Sequence, residues 1–162
     1  MPHTNRETWR RIVASALDWR EAHATFDDAV AGLPAALRGK RPARFPHSSW
    51  ELVEHIRLAQ ADLLEFMTNR EYSAPTWPAD YWPSSPEPRS ARAWNESLAA
   101  VREDAKRLQR LMTKKGLDLT AKIPWGNGQT YLRTILVAID HTSYHVGQII
   151  VVRRLLGMWP PA

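Results

Sequence analysis

The chain of 162 residues contains no cysteine. That excludes disulfides, thiolate nucleophiles, iron–sulfur clusters and zinc sites of the cysteine type. Any metal must therefore be held by nitrogen and oxygen ligands. Long apolar runs are missing as well, since none approaches the roughly 18–20 residues that span a bilayer. The N-terminal "MPHTNRETWRR" lacks the apolar core of a signal peptide. A bacterial-type cytoplasmic location without a membrane partner is the expectation. Charge of one sign is scarce: 22 basic against 17 acidic residues give a net +5. The densest basic cluster, "LRGKRPAR" at 37–44, reads as a solvated loop rather than a phosphate-binding patch, and nucleic acid is not an expected partner.

What is present suits a folded chain. With 44% hydrophobic and 24% charged residues, residues 1–162 match one globular domain with a single core. The spacing predicts four helices. A first helix over about 5–31 begins at a capping box formed by Thr4 and Glu7, and its inward stripe reads Ile12, Ala16, Trp19, His23, Phe26 and Val30. A second starts near Ser49 behind a Ser48–Glu51 capping box, with Leu52, His55, Ile56, Ala59, Leu63 and Phe66 on its apolar face. A third, over about 91–114, is capped by Ser90 and stopped by Gly116. The fourth runs from about Thr130 to Leu156 and ends at Gly157. Before it, "LTAKIPWGNGQT" reads as an extended segment turning at Asn127-Gly128. Four helices and no sheet make this an all-α four-helix bundle.

The connection between the second and third helices, "EYSAPTWPADYWPSSPEPRS" at 71–90, is too proline-rich for helix and too aromatic for a bare linker. It should pack back on the body, with Trp77, Tyr81 and Trp82 plugging the bundle end or forming a lid.

"DHTSYHVGQ" at 140–148 carries the chemistry. His141 and His145 lie four residues apart on the inward side of the fourth helix, where their Cβ atoms stand roughly 5–6 Å apart and can share an ion. His55, on the inner face of the second helix, is the natural third. Two readings stay open: three hydrogen-bonded core imidazoles, or a shared cation that satisfies three buried lone pairs together. Two familiar metal motifs fail. Thr142 stands where a zincin has its general-base Glu. The residues three before His141, His145, His55 and His23 are Ala138, Thr142, Leu52 and Arg20, none of them the Glu of a di-iron bundle. A mononuclear site with open positions remains as the metal reading.

"WELVEHIRLAQADLLEF" followed by "IDHTSYHVGQII" resembles the DinB-like metalloprotein family, whose members include bacillithiol- and mycothiol-dependent transferases. The resemblance covers most of the chain, to "LLGMWP". It implies a four-helix bundle, a homodimer, and one divalent metal, with zinc or nickel expected, on His55, His141 and His145. It favours transfer of an external low-molecular-weight thiol to a small electrophile. Hydrolysis by the metal, or a non-catalytic metal-stabilised binding or dimerisation module, are the alternatives.

Around this site, His23 is a candidate acid/base or fourth ligand, and Gln148 a candidate pocket residue. Asp140 is a candidate for orienting a ligand histidine, and Tyr144 is adjacent but angled partly away. His3 and His47 are expected to be exposed.

Overall fold

The computed structural model describes residues 3–160, and side chains from residue 7 onward. The described residues are all-α. The helices are α1 (His3–Ser15), α2 (Phe26–Val30), α3 (Ser49–Thr68), α4 (Ala91–Thr113) and α5 (Tyr131–Leu155). Short 3₁₀ turns lie at Ala16–Asp18, Ala35–Leu37 and Ala79–Tyr81. Helix α3 is central, packing on both α4 and α5, while α1 packs on α4 and α2 on α5.

Side-chain caps set the starts of α2, α3, α4 and α5. The Ser48 hydroxyl accepts from the Glu51 amide at 3.2 Å, and the Glu51 carboxylate accepts from the Ser48 amide at 2.8 Å, completing the expected box. Ser90 caps α4 through the Ala93 amide at 3.1 Å, and Thr130 caps α5 through Arg133 at 3.2 Å. At the other ends, Gly116 and Gly157 adopt φ of +83° and +72°, the left-handed conformation that ends a helix at little steric cost. The segment before α5 makes one antiparallel bridge, Lys122 to Thr130, around the turn at Gly128.

The first predicted helix is the main correction. It is broken between residues 19 and 25, and Thr25 starts α2 with its own capping box to Asp28. The inward stripe of α1 is shifted by one residue. Trp9, Val13, Ala14 and Leu17 pack into the core, while Ile12 and Trp19 are exposed. Phe26 and Val30 do face inward, but beyond the break, so a stripe phased on them misplaces the first half. The expected cap at Thr4 falls within α1, on a side chain outside the described residues, as does the His3 side chain.

Arg153 ties α2 to the end of α5. It is 0% exposed and donates to the Ala29 carbonyl at 2.7 Å and the Met158 carbonyl at 3.1 Å, with Trp159 beneath its guanidinium. The basic loop at 37–44 is likewise built into the body rather than merely solvated. Arg38 lies over the Trp94 ring at 4.8 Å, and Arg41 forms a forked pair with Glu51. Burial pushes the Glu51 carboxyl up, but the bonds from Arg41 and Ser48 outweigh it and hold the carboxyl below its usual range.

Contrary to the expectation from unbroken apolar runs, helix α5 is long and apolar enough, by length and mean composition, to cross a membrane. Its inner side instead forms bundle core through Ile135, Ala138, Val146, Ile149 and Val152.

Candidate metal centre

The three histidines come together where α3 crosses α5. One ring nitrogen from each of His55, His141 and His145 lies within 4.8 Å of the others. His55 and His145 are buried, and His141 is half-buried. His55 Nε2 and His141 Nε2 are 3.0 Å apart. Nitrogens bound to one ion at about 2.0–2.1 Å stand about 3–3.4 Å from each other, so this spacing fits a shared cation.

Hydrogen bonds on the far side of two rings decide which nitrogens are free. The Tyr81 backbone carbonyl, 2.7 Å from His55 Nδ1, can only accept, so Nδ1 carries the proton and Nε2 keeps its lone pair. Gln148 Oε1, 2.8 Å from His145 Nδ1, does the same for that ring. His141 Nε2 therefore donates to His55 Nε2 when no cation is present. A metal would require His141 to move that proton to Nδ1. Such fixing of the distal nitrogen is the usual partner arrangement of histidine ligands.

Trp82 closes one side. Its ring stacks on His55 at 4.0 Å with 2° between planes, and on its other face His47 stacks at 4.2 Å. His47 is thus half-buried, not exposed as expected. Tyr144 stands edge-on to His145 at 4.9 Å and remains 63% exposed.

His23 is not brought to the group. It is exposed in the segment between α1 and α2, with Nδ1 2.9 Å from the Ala24 carbonyl. Asp140 is exposed, and the partners of the ring nitrogens are Tyr81, Gln148 and the facing imidazole rather than its carboxylate. The Pro-rich loop supplies what residue-by-residue reasoning missed. Its aromatic content marked it as packed, but the contact that orients His55 is a backbone carbonyl, which any residue type could offer.

A model of the DinB superfamily matches residues 18–149. The chain belongs to the DinB superfamily. No curated protein and no solved structure matches it. The matched span holds all three histidines and the loop that walls them, so the cluster lies inside the shared architecture of the superfamily. As in the resemblance, the group is purely imidazole, a donor set suited to a borderline divalent ion.

The electrostatics agree with neutral rings. Burial, then the neighbouring imidazoles, depresses His141 to about 4 from 6.5. Burial also depresses His145 to about 4, against the opposing bond to Gln148. Burial lowers His55 too, partly offset by the Tyr81 carbonyl. Unfolded histidines take protons near pH 6.5, whereas His141 and His145 do so only near 4 and His55 below its usual value, so the folded state is progressively penalised as the pH falls below about 6.5. The metal-free protein should hold a constant Tm above about pH 7 and lose stability as the pH falls from about 6.5 to about 4. Thermal melts in chelator across that range check this. A flat profile, or one unchanged by His141→Asn with His145→Asn, would contradict it.

Proposed function

We propose that this DinB-superfamily protein is a divalent-metal-dependent transferase that joins an external low-molecular-weight thiol to a small electrophile. Zinc or nickel would be held by His55, His141 and His145. The convergence of three imidazoles, two of them with their distal nitrogens already engaged, carries the reading. When bound, the ion supplies a Lewis acid that keeps an incoming thiol deprotonated near neutral pH. The chain has no thiol of its own, so the sulfur nucleophile must arrive as a cosubstrate.

The protein's own groups bind and orient. Tyr81 and Gln148 hold protons on the distal nitrogens of His55 and His145, and His141 moves its proton from Nε2 to Nδ1 on metal binding. Trp82 keeps water from the face of His55 on which it stacks. The reaction would take place in the cytoplasm, where small thiols are kept reduced.

The test is metal analysis joined to turnover. Metal-replete protein should carry about one ion per chain and accelerate conjugation of small thiols to alkyl or aryl electrophiles. His141→Ala and His145→Ala should lose the metal, and the rate should fall at least about a hundredfold, since the ion is worth several kcal/mol of transition-state stabilisation. Stoichiometric metal with no turnover above that of the free ion would instead support a non-catalytic, metal-stabilised module.

The reading extends to a homodimer. Leu136, Tyr144, Val151 and Leu155 are exposed along one outward face of α5, and beside them a Cβ built at Gly147 would meet no other atom. Such a stripe supports self-association better than solvation. Sedimentation should find a dimer at micromolar concentration that Val151→Glu with Leu155→Glu converts to monomer. A monomeric parent protein would contradict the dimer.

A further inference from the structure

Residues 71–90 hold the carbonyl that orients His55, yet they have little regular structure of their own. Pro75, Pro78, Pro83, Pro86 and Pro88 interrupt them, and their one short element is the 3₁₀ turn Ala79–Tyr81. A segment of this kind cannot place a carbonyl through a regular backbone ladder. Side-chain anchors add to its few local backbone bonds.

One such anchor is Asp62. Its Oδ2 accepts the Tyr81 hydroxyl at 2.7 Å, and its Oδ1 accepts the Tyr72 hydroxyl at 2.7 Å. Tyr81 is the residue whose carbonyl accepts from His55 Nδ1, and the next residue, Trp82, is the one stacked on His55. Asp62 follows His55 by seven residues in α3, two turns along the same face. One rigid helix therefore presents both the imidazole and the carboxylate, and the loop is stretched between them. Burial, then the bond to Asp62, raises the Tyr81 phenol above its ordinary range, so it stays a donor at every relevant pH.

We propose that Asp62 is a positioning residue for the metal centre: by gripping the Tyr81 phenol it holds the Tyr81 carbonyl on His55 Nδ1, and so keeps His55 Nε2 aimed at the ion. This rests on the metal reading of the three histidines. Tyr72 shares the carboxylate but leads elsewhere, its ring packing against Phe66 at 5.1 Å. The two phenols are thus an internal control. Each donates one bond to the same carboxylate, and only one connects to a histidine.

The experiment measures zinc affinity by competition with a chromophoric chelator, the visible spectrum of the cobalt-substituted protein, and Tm, on the full chain. Tyr81→Phe should weaken zinc binding by about tenfold and alter the cobalt bands, the size of effect expected when a partner that orients a histidine ligand is lost. Asp62→Ala should do at least as much, and adding it to Tyr81→Phe should weaken binding little further. Tyr72→Phe should lower Tm comparably to Tyr81→Phe yet leave zinc affinity within about threefold and the cobalt spectrum unchanged. If Tyr81→Phe and Asp62→Ala lower only Tm, with affinity and spectrum as in the parent protein, Asp62 is merely structural and the proposal is overturned. If the parent protein itself binds neither zinc nor cobalt, the metal reading fails first.

Discussion

The 2.7 Å hydrogen bond from His55 Nδ1 to the Tyr81 carbonyl joins the interior of the bundle to the loop that covers it. It has two consequences. It places the proton on the outer nitrogen of His55, leaving Nε2 as a lone-pair donor toward His141 and His145. It also requires a loop residue to sit at a fixed height above α3, which brings Trp82 onto the His55 ring. Much of the remaining architecture near the site serves that placement. Ser48, besides capping α3, donates to the Pro86 carbonyl at 2.5 Å. Gly39 meets the same loop so closely that a Cβ there would lie 2.2 Å from that of Glu87. The loop is thereby held near its C-terminal end as well as at its centre.

Imidazoles packed this deeply need partners, because an unpaired buried polar atom costs on the order of 1–3 kcal/mol. From Ser49 to Ile56 every residue of α3 is buried, so His55 has no route to bulk water along its own helix. Protein groups satisfy the outer nitrogens of His55 and His145, while the inner nitrogens face one another. One cation could accept a lone pair from each of the three rings, so the group could hold a metal ion.

The three histidines were legible in the sequence because helical periodicity puts each on an inward face, and the helices they occupy begin at unambiguous side-chain caps. The break in the first predicted helix was harder to see. Thr25 and Asp28 form a capping box with Asp where Glu or Gln is usual, inside a run whose apolar spacing continues across it. That continuity also carried His23 onto a false inward stripe. The role of Tyr81 lay beyond residue types altogether, since its contribution to His55 is a main-chain oxygen. Asp62 did leave a trace: it stands two turns from His55 on the same face, with two tyrosines in the following loop. Gln148, three residues after His145, was visible from spacing alone, and its geometry gives it a specific task.

The central claim is that these three nitrogens form one metal site. Anomalous diffraction at the absorption edge of the bound metal, on crystals of tag-free protein, addresses it directly. The account predicts one strong anomalous peak per chain, at about 2.0–2.2 Å from a nitrogen of each of His55, His141 and His145, with at least one further position open to solvent. A peak held by other residues, or none after incubation with zinc or nickel while His141 still donates to His55, would contradict it.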